Sequence, residues 1–518
     1  MKKLSIVVTT SVLAAIMMMG CGDDTDDNPG APKGGSTSDA GEDGGGTGGK
    51  STAGSNNTAG KNAGGTGDGE GGTGNTTPEG GKDTGSAGAG GSGEVEVSCD
   101  DVYADRPNGA KAIPVDAEGN ITVDTLTSDT IWKLDGRYFV KEGETLTIEP
   151  CTLIEAAPTP GAGSLFVPRG AKIHAVGTPN APIVFTTQSH AFEAGAPWGG
   201  VVLLGKAPIA PDAAATAERN FEGMPELETR ARFGGTDAAD SSGEIAYVRI
   251  EFGGDIIVTG KEINGLSFAG VGSGTKVHHV MVKDQQDDCF EWFGGTVSAD
   301  HLICQNSGDD MFDTDEGYRG KLQYLFGRNL TEGTSSDPRG LEWDGNKPKA
   351  DAAEASRSMP MGSNITLCGL NAAGTAVSFG AALRSNLVAG TTISNAIVTG
   401  WDFGVDTTFA NGTSAAPIVD WNNSLFFGQV SANAGNAAET DNDGAFDESA
   451  WLGLAAHKNT VGGDAPAGFD CYADVPTPPT TPVEGATPGT GFDKKGTFVG
   501  AFGAENWAEG SWVDWSFE

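Results

Sequence analysis

The chain has 518 residues, of which 81 are glycine, and its 70 acidic and 32 basic side chains give a formal net charge of −38. This acid excess argues against nucleic-acid binding, which requires a basic surface facing the phosphates. The glycines follow no strict three-residue period, which excludes a collagen triple helix.

The chain begins with a segment typical of an export signal. Lys2 and Lys3 precede a 16-residue apolar run at residues 4–19, and Gly20-Cys21 follow. The run is shorter than the roughly 20 residues that span a bilayer. A basic start, a short apolar stretch and a small residue before the cleavage point are typical of a secretory signal, so residues 1–20 are predicted to be a signal peptide.

The residues around Cys21 resemble a bacterial lipobox, with Met18 at the position where leucine is usual. This resemblance implies a lipoprotein that is acylated at Cys21 and held at the bacterial outer membrane or cell surface. The membrane is then one expected partner. An ordinary signal peptide with an incidental cysteine is the alternative.

Residues 21–97 form a low-complexity segment rich in Gly, Ser and Thr. Such a composition cannot bury enough apolar surface to offset the entropy of the chain, so a disordered tether is predicted. Residues 22–97 carry 13 acidic and 4 basic side chains and residues 1–21 carry two lysines, which leaves −31 for residues 98–518. The predicted folded domain is therefore itself strongly acidic.

Residues 98–518 are predicted to form one all-β domain with a C-terminal cap and loops. Short β-branched runs, such as residues 144–149 and 200–204, alternate with Gly, Asn, Asp and Pro. Helical periodicity is nearly absent, except at residues 446–458, where Asp447 is expected to cap a short helix.

An internal period of about 22 residues predicts the architecture. The positions that keep this step are Phe268, Phe290 and Phe312, Val280 and Leu302, Asp287 and Asp309, and Asp288 and Asp310. One strand and one apolar residue per period is typical of a parallel β-solenoid, in which equivalent residues stack about 4.8 Å apart. Dipeptides that favour antiparallel hairpins are scarce.

Three segments resemble a group of bacterial surface proteins and lipoproteins in the pectate-lyase-like superfamily, most of which have no assigned function. They are WGGVVLLG at 198–205, GGTDAADSSG at 234–243 with YVRIE at 247–251, and DDCFEWFGGT at 287–296; FVGAFGAENW at 498–507 also fits. The resemblance implies a right-handed parallel β-helix. Because this superfamily includes lyases, hydrolases, adhesins and passive scaffolds, it does not specify the chemistry.

Acidic residues on two consecutive periods are the strongest candidate site. They are Asp287, Asp288 and Glu291, followed by Asp309, Asp310, Asp313, Asp315 and Glu316. The 22-residue register places Glu291 beside Asp313, and Glu342 is expected to continue the column. If the Phe column points inward, alternation along the strand directs these carboxylates outward.

Like charges stacked at sheet spacing repel by about 1–3 kcal/mol per pair. A bound cation, a raised pKa or basic neighbours can relieve this repulsion. Oxygen-rich clusters suit Ca²⁺, and the candidate Ca²⁺ ligands are Asp287, Asp288, Glu291, Asp309, Asp310, Asp313 and Asp315. The alternative is that the Asp doublets cap turns between strands.

Whether the chain is an enzyme stays open at this stage, although the sequence favours a non-enzymatic role. The catalytic candidates for a polysaccharide lyase or hydrolase are Asp309, Asp310, Asp313, Glu291 and Glu342. SGDD at 307–310 resembles a polygalacturonase motif, but its Gly-His-Gly and Arg-Ile-Lys companions are absent from the sequence. The candidate bases of a lyase are Arg319, Arg328, Arg339 and Arg384.

The sequence also contains weaker candidates for sugar and metal binding. Trp292 and Trp343 are considered as exposed platforms for sugar binding. The six histidines show no metal-binding spacing, although His279 and His301 are expected to stack. Asp237 and Asp240 either bind Ca²⁺ or form a turn, and residues 441–444 resemble only part of an EF-hand loop.

Six cysteines remain after Cys21, which favours disulfides in an exported protein. Cys99 and Cys151 are the first candidate pair, whereas Cys289 and Cys304 are equally compatible with buried thiols. The first functional hypothesis is therefore a lipoprotein that displays an acidic, Ca²⁺-stabilised β-helix with a structural, adhesive or carbohydrate-interaction role. Its expected partners are polysaccharide or envelope components.

Overall fold

The computed structural model describes residues 99, 109–157, 163–189, 198–210, 218–258, 261–331, 333, 335, 338–345, 358–370, 381–386, 391–408, 419–428, 448–504 and 506–516. All of them belong to one structural unit that includes Glu96–Glu518. The predicted signal peptide, Cys21 and the tether lie outside these residues. Within the described ranges no helix is long and apolar enough to cross a bilayer.

The described chain is built almost entirely of short strands. Its first half contains β1 (Ala110–Ala112), β2 (Thr125–Leu126), β3 (Ile131–Leu134), β4 (Arg137–Phe139), β5 (Thr145–Ile148), β6 (Leu153–Ala156), β7 (Ser164–Val167), β8 (Lys172–Val176), β9 (Ile183–Thr187), β10 (Val201–Leu204), β11 (Arg219–Asn220), β12 (Arg232–Phe233), β13 (Gly243–Glu251), β14 (Asp255–Val258) and β15 (Lys261–Ile263). A 3₁₀ turn at Thr229–Ala231 precedes β12.

The second half continues the same pattern with longer strands. It contains β16 (Leu266–Ala269), β17 (Lys276–Lys283), β18 (Phe290–Phe293), β19 (Ala299–Gln305), β20 (Phe312–Asp315), β21 (Lys321–Arg328), β22 (Leu341–Asp344), β23 (Met361–Cys368), β24 (Ala381–Asn386), β25 (Thr391–Thr399), β26 (Phe403–Thr408), β27 (Val419–Asn422), β28 (Leu425–Phe427) and β29 (Thr460–Val461). The short helix α1 spans Glu448–Leu452, inside the region predicted to be helical, and Asp447 lies outside the described residues.

Two parallel sheets organise the described strands. The sixteen-stranded sheet follows the order β1-β3-β6-β9-β13-β17-β19-β21-β23-β25-β28-β29, with β2, β5, β8 and β27 paired alongside. The nine-stranded sheet follows the order β26-β24-β22-β20-β18-β16-β10-β7-β4. From β16 to β26 the chain alternates between the two sheets, so each coil adds one parallel strand to each. The predicted parallel β-helix is confirmed, and two antiparallel hairpins, β11/β12 and β14/β15, interrupt it.

The core lies between the two sheets and consists of apolar side chains that stack in register. Val280 pairs with Leu302, Leu302 pairs with Leu325, and all three are fully buried. Phe290 pairs with Phe312, and their ring centroids lie 5.4 Å apart. The pairs Val280/Leu302 and Phe290/Phe312 confirm the 22-residue step for their coils, whereas the step from Leu302 to Leu325 is 23 residues.

The predicted equivalence of Phe268 and Phe290 is wrong. Phe268 pairs with Trp292, and their rings stack at 5.2 Å, so this coil is two residues longer than the period implies. The prediction of exposed tryptophan platforms is also wrong, because Trp292 and Trp343 are both fully buried. Each of the two lies on the inward face of its strand, where its ring fills the core.

The long strands of the sixteen-stranded sheet bend at one position each. The first half of β13 pairs with β8 and its second half with β9. The residues at the bend share a positive φ, and we call them the bend ladder: Tyr247, His279, His301, Tyr324, Asn364, Asn395 and Asn423. Such a φ is uncommon outside glycine, so the surrounding contacts must hold it.

The C-terminal segment, residues 469–516, covers the bend ladder. Trp507 contacts the ring of His301 at 4.9 Å, and Trp512 contacts the ring of His279 at 5.5 Å. The Asn395 side chain donates a hydrogen bond to the carbonyl of Ala486. We call this segment the cap, and aromatic and amide contacts attach it to the coils.

Three disulfides join described cysteines. Cys99 bonds to Cys151, Cys289 to Cys304, and Cys368 to Cys471. The third bond attaches the C-terminal segment to the end of β23, across a separation of 103 residues. The cysteines therefore fasten both the start of the domain and its cap.

We expect Asn364→Ala to lower the free energy of unfolding by about 2–3 kcal/mol. The buried Asn364 amide donates to the carbonyls of Gly496 (3.0 Å) and Phe498 (2.6 Å), and its oxygen accepts from Gln323. Alanine would keep the positive φ but lose all three bonds. Urea denaturation measures the change.

Asn423→Ala is the matched control, because Asn423 shares the positive φ but lies half-buried. Its side chain donates to Asn422. A loss of no more than about 1 kcal/mol is expected there. Equal losses in the two variants would show that backbone strain, and not attachment of the C-terminal segment, accounts for the effect.

Candidate functional site

The candidate site lies on the nine-stranded sheet, where one column of register positions is polar. From β16 to β26 this column runs through Ser267, Glu291, Asp313, Glu342, Arg384 and Asp406. The structure thus places Glu291 beside Asp313 and Glu342 next in the column. Asp315 pairs with Phe293 instead, two positions further along the strand. Parallel pairing on successive coils is what brings residues distant in sequence to adjacent positions.

The carboxylates form two overlapping groups of three. Asp287, Asp288 and Asp309 form one group, and Asp288, Glu291 and Asp313 form the other. Within each group the carboxylate oxygens lie within 4.8 Å of one another. Asp288 belongs to both groups, so one buried carboxylate connects the turn before β18 to the outward column.

Several of these side chains also cap turns. Asp288 accepts a hydrogen bond from the backbone N–H of Asp310 at 2.7 Å, and Asp310 accepts one from the N–H of Arg339. These bonds satisfy backbone donors where strands begin, as the turn-capping interpretation expects. Not every carboxylate oxygen of the cluster takes part in capping. The Oδ1 of Asp313 is buried and accepts no hydrogen bond from the described residues.

The SGDD motif at residues 307–310 has a structural explanation. The Ser307 hydroxyl donates to the carbonyl of Asp310, and the N–H of Gly308 donates to the carbonyl of Asp287. A Cβ at position 308 would lie 2.2 Å from the backbone of Gln286. Glycine is therefore required by the close approach of two coils, so the motif by itself does not indicate catalysis.

Burial strongly perturbs the titration of the cluster. Burial raises the pKa of five carboxyls well above the ordinary value, and repulsion from neighbouring carboxylates raises it further. The five are Asp287, Asp288, Glu291, Asp310 and Asp313. Glu222 and Glu262, from the adjoining hairpin segments, add to this repulsion. Deprotonating all of these groups at neutral pH therefore requires compensating positive charge.

Nearby arginines supply little of this charge. Arg219 pairs with Glu316. Burial raises the pKa of Glu316 to about 8, although Arg219 opposes this shift. Arg328 and Arg339 are fully buried. The Arg328 guanidinium donates to the side chain of Gln305 and to carbonyls of the C-terminal segment. These bonds give Arg328 a structural role, and Arg339 is equally buried.

Asn264 is a site residue that the sequence reasoning missed. Its amide nitrogen donates to Glu291, and its oxygen accepts the backbone N–H of Asp288. Asn264 is fully buried and precedes β16, in a coil whose length departs from the 22-residue period. The irregular step hid its alignment with the acidic residues.

The bend ladder contains a second group that the histidine spacing did not reveal. His279, Asp300 and His301 offer ligand atoms within 4.8 Å of one another. The rings of His279 and His301 stack at 4.3 Å, and burial together with His301 and His278 lowers the pKa of His279 to about 3. The same two rings contact Trp507 and Trp512, so they also pack against the C-terminal segment.

The weaker candidates have structural roles or lie outside the described residues. The side chain of Asp237 accepts the N–H of Ala239 and caps a turn, and that of Asp240 accepts the backbone N–H of Lys206 and joins two segments. The partial EF-hand resemblance at residues 441–444 lies outside the described ranges.

Comparisons with known proteins agree with this architecture. A family model described as a pectate-lyase-like β-helix domain matches residues 119–464. No curated protein matches the chain.

Two solved structures are similar at low identity. Full-length tailspike protein 2 of an Escherichia coli O157:H7 bacteriophage is 12% identical, with a TM-score of 0.20. The enzymatically active domain of bacteriophage CBA120 tailspike protein 2 is 12% identical, with a TM-score of 0.19. Each alignment covers 58% of this chain, which spans 39% and 44% of those two chains.

Proposed function

Because the chain belongs to the pectate-lyase-like β-helix family, we propose that its acidic column binds Ca²⁺ and, through it, an acidic carbohydrate of the cell envelope. In this proposal the protein is a lipoprotein held through Cys21 at the bacterial outer membrane or cell surface. Residues 21–97 then act as a tether. A β-helix domain that interacts with carbohydrate is typical of the family.

The proposal rests on the two clusters of carboxylates that have Asp288 in common. Ca²⁺ accepts six to eight oxygen ligands at flexible distances, and it is the divalent cation best suited to clustered carboxylates. A cation there would offset the repulsion that raises the pKa values of the cluster. It would also supply a partner for the buried Oδ1 of Asp313. Without a cation, the five carboxylates of these two clusters would be difficult to keep charged together.

A second candidate function is hydrolysis or lyase cleavage of a surface polysaccharide by the same residues. The observation that favours it is the raised pKa of Asp310 and Asp313, on a coil adjacent to Glu291. A carboxyl that remains protonated near neutral pH can act as a general acid beside an ionised neighbour. The catalytic candidates would then be Asp309, Asp310, Asp313, Glu291 and Glu342.

One experiment tests both candidates. The full-length chain is incubated with a panel of neutral and acidic polysaccharides, in Ca²⁺ and in EDTA, and both binding and product release are measured. We expect acidic polysaccharides to bind in Ca²⁺ at least ten-fold more tightly than in EDTA, and Asp288→Asn with Asp313→Asn to abolish this difference.

Lys111→Gln, on the exposed strand β1, is the control for general charge effects. New reducing ends or unsaturated uronate would support the enzymatic candidate. If Ca²⁺ produces no increase in binding over EDTA in the wild-type chain, and no product is released, both candidates are contradicted.

A further inference from the structure

A cleft of about 670 Å³ lies on the domain, away from the acidic column. It is formed where the chain leaves three successive strands of the nine-stranded sheet, at Lys141 after β4, Arg169 after β7 and Lys206 after β10. Residues 234–237, which follow β12, close one side. The acidic cluster instead surrounds β18 and β20, so the two features occupy different coils.

The cleft concentrates positive charge in an otherwise acidic domain. Its lining includes five cationic side chains and three acidic ones, whereas residues 98–518 carry a net charge of −31. The cationic residues are Lys141, Arg169, Lys206, Arg230 and Arg232, and the acidic ones are Glu142, Glu218 and Asp237. A concave surface with this excess focuses a positive potential that the rest of the domain lacks.

Some of these cations already have partners. Arg230 forms an ion pair with Glu228 and lies 3.8 Å from the centre of the Phe139 ring. Arg169 contacts Glu218 at 3.0 Å and donates to the carbonyl of Gly234. These contacts position the walls of the cleft and leave less charge available for a ligand.

Two cations form no ion pair with described residues, although Arg232 lies close enough to Glu218 to help lower its pKa. The Nε of Arg232 is buried and donates no hydrogen bond to any described residue, although Arg232 lies in β12 at the cleft wall. The ammonium of Lys206 forms no ion pair within the described part of the chain, while its backbone N–H donates to Asp240 and its carbonyl accepts from the N–H of Asp237. Because Arg232 is half-buried, its guanidinium is only partly hydrated, so pairing with an anion in the cleft would be more favourable than at a fully exposed arginine.

We propose that this cleft binds the anionic group of an acidic glycan, with Arg232 and Lys206 as its direct contacts. Arginine presents a planar fork that matches carboxylate and sulfate oxygens, and lysine adds a point charge. The hydroxyls of Thr229 and Thr236 also line the cleft and can bond sugar hydroxyls. The volume lies within the range of small-ligand sites. The proposal does not require a cation and is independent of the acidic column.

Titration calorimetry of the full-length chain in EDTA tests the proposal. The probes are tetragalacturonate, a heparin-derived tetrasaccharide and neutral cellotetraose. We expect the carboxylated or the sulfated probe to bind, with the tighter of the two identifying the anionic group, and cellotetraose not to bind. Arg232→Gln and Lys206→Gln should each weaken binding about ten-fold or more, and Lys111→Gln should leave it unchanged.

Two measurements keep the test valid if a variant is unstable. Arg232→Lys retains the charge but loses the fork, so it should bind with intermediate affinity. In the wild-type chain, the bound glycan should slow hydrogen exchange in peptides that cover residues 229–237. Absence of binding by both anionic probes, equal binding of cellotetraose, or unchanged affinity in Arg232→Gln and Lys206→Gln would overturn the proposal. Because EDTA is present throughout, failure here leaves the Ca²⁺-dependent function at the acidic column untouched.

Discussion

In the absence of divalent cations, the chain should lose stability as the pH rises from 5 to 8. Burial raises the pKa of Asp288, Glu291 and Asp313 in the folded state, so the folded chain holds more protons than the unfolded chain in this range. The free energy of unfolding therefore falls with increasing pH. The stabilising contribution is complete below the unfolded pKa values near 4 and is lost as the pH passes the folded ones. Melting midpoints in EDTA at pH 5, 6, 7 and 8 measure the trend.

Millimolar Ca²⁺ should reverse this loss at pH 7 to 8. A ligand that binds only the folded state stabilises it by about 2.7 kcal/mol at 100 times its dissociation constant. At pH 5 the gain should be much smaller, because protonated carboxyls are poor ligands. Asp288→Asn with Asp313→Asn should weaken the pH trend, to which Asp287, Glu291 and Asp310 still contribute, and should remove the Ca²⁺ effect, whereas Asp464→Asn, at an exposed position, should change neither. Midpoints that rise with pH in EDTA would contradict the explanation.

Removal of the Cys368–Cys471 disulfide should lower the free energy of unfolding by about 4–5 kcal/mol. The bond closes a separation of 103 residues, and long closures restrict the unfolded chain most. Both cysteines are buried, and Arg328 donates to the carbonyl of Cys471, so the bond also holds the C-terminal segment. The Cys368→Ala, Cys471→Ala double variant is compared with the wild type by urea denaturation.

The Cys289→Ala, Cys304→Ala double variant provides the comparison. This pair closes a separation of only 15 residues, for which a loss of about 3 kcal/mol is expected. Loss of the longer bond should also speed hydrogen exchange in the C-terminal segment, an effect that loss of the shorter bond should not produce. If the two variants lose equal stability and the segment remains protected, the disulfide does not hold the cap.

The sequence predicted those parts of the fold that repeat. A 22-residue step between Phe290 and Phe312 was enough to place Glu291 beside Asp313, because parallel strands on equal coils fix the register. The prediction failed at Phe268, where the coil is longer by two residues and the period no longer aligns the strands. It also failed for Trp292, since the side that a strand residue faces depends on the register.

Other features depend on contacts between distant segments and leave no local pattern. The C-terminal segment packs on the bend ladder through Trp507 and Trp512, more than 200 residues after the histidines that they contact. Asn264 approaches Asp288 and Glu291 only because the coil before β18 has a particular length. Arg232 lies in an antiparallel hairpin within an insertion, where no period applies. Such positions follow from the folded chain and not from composition or spacing.

Calorimetric titration of Ca²⁺ into the EDTA-treated and desalted full-length chain at pH 7.5 tests the central claim most directly. The account predicts saturable binding that releases protons, because Asp288 and Asp313 have raised pKa values and must deprotonate to bind the cation. The heat should therefore vary with the ionisation enthalpy of the buffer, and Asp288→Asn with Asp313→Asn should abolish binding while Asp464→Asn preserves it. Wild-type binding that persists unchanged in the double variant, or no saturable binding at millimolar Ca²⁺, would contradict the assignment of the acidic column as a cation site.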